Sequence, residues 1–139
     1  MFTQLGGRTK IVEVLARRYV CLACDAVVLV LPADVARRYL YTRLVIAAAL
    51  ALWSHGRQSA SAVRGRLGAF AILGHAAHGW PALARWADSA RLLWPRLRSS
   101  VEGPPQQVAQ RVSVQLAAFA PVPTGQVLDD AVAGAVHAA

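Results

Sequence analysis

At 139 residues, 56% of them hydrophobic, the chain is long enough for one domain with a real core, which excludes disordered and two-domain readings. Its net charge of +8 is uneven: residues 1–66 carry ten Lys or Arg against three Asp or Glu, residues 67–98 four against one, and residues 99–139 one against three. A basic front and a mildly acidic tail suit an anionic partner, most commonly nucleic acid, although fourteen of the fifteen basic residues are arginine, which GC-rich codon supply also favours.

Residues 10–20 are rich in β-branched side chains and predict a strand. A second strand is expected over residues 26–31, ended by Pro32, with Cys21 to Asp25 as the turn between them. The cysteines therefore sit at the tip of a hairpin. From Tyr41 onward the pattern is helical. Thr42 caps a helix over 43–54, apolar nearly all round and stopped by Gly56, as expected of a central buried helix. Its apolar run, Leu44 to Trp53, is ten residues long, about half of what a bilayer span needs. Residues 1–18 hold no secretory h-region. These observations predict a cytoplasmic protein with no membrane partner, and in that compartment Cys21 and Cys24 are not expected to form a structural disulfide.

Ser59 caps a short second helix closed by Gly65 or Gly68, and residues 69–78 allow a further turn or helix around Gly74. A clearer helix covers 80–94, where Trp80, Leu83, Ala87, Ala90 and Trp94 form one apolar stripe and Arg85 and Ser89 face away from it. Pro81 occupies its first turn and Pro95 closes it. A linker containing Gly103-Pro104-Pro105 leads to an amphipathic helix over about 105–119, with Val108, Val112, Leu116 and Phe119 inward. Residues 124–139 are rich in Ala and Val and read as either helix or frayed tail, with Asp129 and Asp130 solvated.

Two constellations carry chemistry. The first is Cys21-x-x-Cys24, which offers two of the four tetrahedral ligands zinc requires. His55, His75 and His78 or a second chain would have to complete the set. Otherwise the cysteines are a plain turn, and His75 and His78 are turn residues beside Gly74 and Gly79. The second constellation is a helix-turn-helix arrangement of the helices at 43–54, 58–65 and 80–94. There Arg85, Ser89 and Arg91 reach base edges or phosphates, while Arg57, Ser59, Ser61 and Arg64 hold phosphates at the start of the short helix. A helical bundle with arginines on its wet side fits the same pattern. The sequence carries no paired-carboxylate motif, Gly-x-Ser-x-Gly, P-loop or Gly-x-Gly-x-x-Gly, and a non-enzymatic protein is expected.

The ordered set Arg17-Arg18-Tyr19-x-Cys21-x-x-Cys24, Val30-Leu31-Pro32, Arg37-Arg38-Tyr39, an Ile/Ala/Leu helix, and Gly79-Trp80-Pro81-Ala82-Leu83-Ala84-Arg85-Trp86 resembles a known front end. That front end is the zinc-ribbon and helix-turn-helix region of bacterial insertion-sequence transposases and their stand-alone relatives. The resemblance covers about residues 15–98. It implies a mainly α fold: a short N-terminal β-hairpin, truncated and zinc-ribbon-like, at 1–34, a helix-turn-helix-like helical bundle at 35–98, and a linker, amphipathic helix and tail at 99–139. It also implies double-stranded DNA as partner and zinc as the metal. The family's preceding Cys-x-x-Cys has no counterpart in residues 1–9, and the glycine usual after the second cysteine is Asp25. No segment corresponds to a catalytic domain, so the expectation is a shortened copy of the DNA-binding part. The alternatives are a helical protein–protein module that homodimerises through exposed tryptophans, and a degenerate remnant without activity.

Overall fold

Among the described residues, two separate antiparallel hairpins form near the N-terminus, and six helices follow. The structure, a computed structural model, describes residues 2–5, 8–11, 13–32, 35–36, 41–68, 79–98 and 102–139. Strand β1 (Phe2–Leu5) pairs with β2 (Arg8–Ile11), and β3 (Arg17–Val20) with β4 (Val27–Val30). The expected strand over 10–20 is thus divided between two hairpins, with residues 13–16 irregular. The first hairpin was not anticipated, although Gly6-Gly7, between the partners Leu5 and Arg8, is a hairpin signal in sequence. In the second hairpin, Arg17 faces Val30 and Val20 faces Val27, so the cysteines fall at the tip.

Helix α1 (Arg43–Ser54) begins where expected because the Thr42 hydroxyl accepts from the Val45 amide. Every residue from Val45 to Leu52 is buried. Such a helix must be enclosed on all sides, and α1 is: α2 (Ala60–Leu67), α3 (Ala82–Asp88), α5 (Pro105–Ala117) and α6 (Val127–His137) all pack on it. Four alanines, Ala47, Ala48, Ala49 and Ala51, keep its surface low enough for that crowding. Arg43 at its first position donates to the Leu93 and Val35 carbonyls, tying α1 to the chain on either side.

The stripe predicted over 80–94 is buried as expected, but the helix is divided at Ser89 into α3 and α4 (Ala90–Leu93). Ser89 adopts φ −90° and ψ 8°. Its amide still bonds back to the Arg85 carbonyl, and its carbonyl accepts from Leu92 and Leu93, so one turn tightens without breaking the bond ladder. Trp80 and Trp86 stack edge-to-face with each other and with Tyr41. Trp94 donates its indole N–H to the Ala135 carbonyl at 2.8 Å. With Trp80, Trp86 and Trp94 only 8%, 3% and 0% exposed, dimerisation through exposed tryptophans is corrected for these three: their rings are already used inside.

Of the two readings of the tail the helical one holds, while that of Asp130 is corrected. Residues 127–137 are a packed helix rather than a frayed end, and Asp130 is buried rather than solvated. Helix α6 buries its small residues Ala131, Gly134 and Ala135, and with the following Ala138 it joins the same core as α1 and α5. Asp130 anchors its start. One carboxylate oxygen accepts from the Thr124 amide and hydroxyl, and the other from the amide of Gly125, whose φ of +81° suits glycine. Those donors, led by the Thr124 amide and opposed by burial, hold the Asp130 carboxyl below its ordinary value. A depressed folded pKa stabilises above the unfolded value of about 4, and that contribution is lost as pH falls through the lower folded value. Denaturation midpoints measured against pH are therefore expected to show a constant deficit for Asp130→Asn above about pH 5 that shrinks below about pH 4. A deficit independent of pH would exclude the carboxylate as the anchor.

Among the described residues no helix is long and apolar enough to cross a membrane.

Candidate nucleic-acid interface and cysteine turn

The residues expected to form the interface lie on and around α2, α3 and α4, of which α2 and α3 pack on α1. Ser59 caps α2: its hydroxyl accepts from the Ala62 amide at 3.2 Å and lies 3.0 Å from the Ser61 hydroxyl. Val63 and Leu67 are the inward anchors of α2, which leaves Ser59, Ser61, Ala62, Gly65 and Arg66 exposed. Arg57, just before the cap, is exposed and held at φ +49°. The tight corner comes from Gly56, where a Cβ would lie 2.6 Å from the Leu52 carbonyl oxygen.

Arg64 is placed differently from its neighbours. It is half-buried and donates to the Gly79 carbonyl at 2.9 Å, so it links α2 to the chain entering α3. Its charge also acts on Tyr41, whose hydroxyl pKa is raised by burial and partly lowered again by that guanidinium. Together with the Tyr41–Trp80–Trp86 cluster, this bond fixes where α2 and α3 sit relative to the start of α1. Arg85 and Arg91 are exposed on α3 and α4, whereas Ser89 is half-buried at the junction between them.

Three exposed arginines of residues 41–98 were missed as candidates, Arg66, Arg96 and Arg98. The available signal was the charge balance of the segment itself. Residues 41–98 contain eight arginines and a single acid, Asp88. Six of the eight are exposed: Arg57, Arg66, Arg85, Arg91, Arg96 and Arg98. Arg96 is partly committed, since it lies over the Phe119 ring and donates to the His137 carbonyl at 2.6 Å. With Arg98, Gln115 and Phe119 it lines an open groove of about 570 Å³.

The cysteine turn stands apart from this surface. The Cys21 amide donates to the Ala26 carbonyl and the Asp25 amide to the Cys21 carbonyl, closing a tight loop. Asp25 takes φ +56°, a conformation that favours glycine and that Asp tolerates. Both cysteines are free thiols and exposed. The amide of Ala23, then the thiol and amide of Cys24, hydrogen-bond to the Cys21 sulfur and hold its pKa below the ordinary thiol value. Among the described residues no third Cys, His, Asp or Glu joins the pair. His55 lies instead at the end of α1, with its Nε2 3.4 Å from the Gln110 carbonyl oxygen, while His75 and His78 lie outside the described residues.

Fold and surface define a mainly helical protein with an exposed β3–β4 hairpin and with exposed arginines on and beside α2, α3 and α4. Comparison of the chain with protein-family models, with curated proteins and with solved structures finds no match.

Proposed function

We propose that the chain is a non-enzymatic module that binds double-stranded DNA through the arginine-bearing flank of α2, α3 and α4. One observation carries this reading: six exposed arginines over residues 41–98 set against the single acid Asp88. Three of them, Arg66, Arg85 and Arg91, lie on α2, α3 and α4, whose inner faces are fixed by Val63, Leu67, Leu83, Trp86 and Leu93, so these charges are presented on rigid elements. In the helix-turn-helix form of the reading, related to transposase front ends, Arg85 and Arg91 approach the major groove. Arg57, Ser59 and Ser61 then hold a phosphate near the first amides of α2. Arg64 and Ser89 act by positioning these helices.

A duplex of about 30 bp at low salt is expected to be shifted by the protein, and Arg85→Ala to weaken the complex several-fold. No shift at low salt would overturn the reading.

A second reading, self-association, is favoured by the β3–β4 hairpin, where Tyr19, Val20, Val27, Val28, Leu29 and Val30 are each about half exposed or more. Exposed apolar strands with free edges invite pairing with another chain. Light scattering in metal-free buffer tests it, and a strict monomer at high concentration would exclude pairing of the bare strands.

A further inference from the structure

The hairpin tip contains an unused donor set. Cys21 and Cys24 lie on one tight loop, closed by bonds from the Cys21 amide to the Ala26 carbonyl and from the Asp25 amide to the Cys21 carbonyl. Cysteines two residues apart on such a turn can supply two ligands to the same ion. The positive φ of Asp25 lets the chain turn away immediately after the second cysteine.

The tip is also free to meet another. Every residue from Leu15 to Val30 is exposed, and β3 and β4 pair with each other. Four paired residues extend the loop about 13 Å beyond Arg17. Around the two thiols the surface is uncharged except for Asp25: Val20, Leu22, Ala23, Ala26 and Val27 surround them, and Leu22 is 99% exposed. A soft tetrahedral divalent cation takes four such ligands, and one tip supplies two.

We propose that Cys21 and Cys24 of two copies together bind one thiophilic divalent cation of the zinc class, joining the hairpins tip to tip as a tetrathiolate site. On binding, four metal–sulfur bonds form, and the protons of those thiols that were still protonated pass to solvent. Leu22 of each copy is covered by the other, which supplies the apolar contact a bare ion lacks. Metal concentration then controls the oligomeric state, a device separate from the arginine flank.

The test is a Co2+ titration of the reduced full chain, followed by the thiolate-to-cobalt charge-transfer and tetrahedral d–d bands, with mass measured by light scattering at each point. The expected endpoint is one Co2+ per two chains, with a doubling of mass. Zn2+ should displace the cobalt without dissociating the dimer, and a chelator should restore the monomer. Cys21→Ser and Cys24→Ser, which alter only the exposed tip and should keep the helical circular dichroism, are each expected to abolish both signals. Asp25→Gly keeps the required backbone and removes two carboxylates beside a dianionic site, so its dimer should bind metal more tightly. An endpoint of one Co2+ per monomeric chain would overturn the proposal by locating the other ligands within the chain. Absence of a tetrathiolate spectrum with metal in excess would overturn it as well. Either failure leaves the duplex shift unaffected, and loss of the duplex shift leaves the metal endpoint unaffected.

Discussion

Gly134→Ala is expected to lower the thermal midpoint by about 10 °C, a loss of roughly 3 kcal/mol, although alanine is the better helix former. A Cβ at this position would lie 1.8 Å from the Leu116 carbonyl oxygen, 2.9 Å from its carbon and 3.1 Å from the Ala120 amide nitrogen. All three are backbone atoms of α5 and the turn after it, so no side chain can swing aside. Helix α6 would have to move outward by more than an ångström. That movement strains the neighbouring bond from Trp94 to the Ala135 carbonyl and lets water toward Leu116 and Val112. Gly65→Ala is the matched control. It lies in the exposed interior of α2 with nothing within 4 Å of a built Cβ, so it should raise stability by about 0.5–1 kcal/mol. Thermal melts of the two variants by circular dichroism decide the matter. Equal and small shifts would mean that α6 is not seated as closely on α5 as described.

The contrast between these two glycines shows what the sequence could and could not disclose. Local signals were legible. Thr42 and Ser59 are good caps, and both helices start there; the period of Trp80, Leu83, Ala87, Ala90 and Trp94 reported a buried stripe. Signals that depend on a distant partner were not. Nothing local distinguishes Gly134 from Gly65, because the reason for the first is the backbone of Leu116, eighteen residues earlier in the sequence. Asp130 looked like one of two solvated acids until its three donors at Thr124 and Gly125 were seen. The tail read as optional for the same reason: α6 is made of small residues whose stabilisation comes from Trp94 and α5, outside any window centred on it.

At the candidate site the arginines divide along similar lines. Sequence treats all fourteen alike, yet Arg43, Arg64 and Arg111 satisfy backbone carbonyls at chain crossings, while Arg57, Arg66, Arg85, Arg91 and Arg98 are exposed. The first three would have to give up a backbone bond to reach a polyanion. The cysteine turn gives the opposite result. Cys21-x-x-Cys24 was legible from spacing, and its loop geometry, including the glycine-like conformation of Asp25, suits a metal-binding turn. The number of ligands it lacks is what shifts attention from one chain to two.

On the duplex-binding reading, salt provides the largest effect of all. If the six exposed arginines of residues 41–98 displace about six counterions, log affinity falls with log salt at a slope near −5. Between 50 and 200 mM salt that amounts to roughly a thousandfold loss. Arg57→Gly separates contact from fold. A non-glycine residue in the left-handed region costs about 1–2 kcal/mol, and Arg57 sits there at φ +49°, so glycine should leave the melting temperature unchanged or raise it. Its duplex affinity should nevertheless fall several-fold at low salt, with the salt slope reduced by about one. Arg64→Ala behaves in the reverse manner: the lost bond to the Gly79 carbonyl lowers stability, and any loss of affinity should follow the loss of fold. Titrating both variants against the same duplex at several salt concentrations, beside their melts, reads out the difference. An unchanged slope in Arg57→Gly would remove the α2 N-terminus from the interface and leave the reading to Arg85 and Arg91 alone.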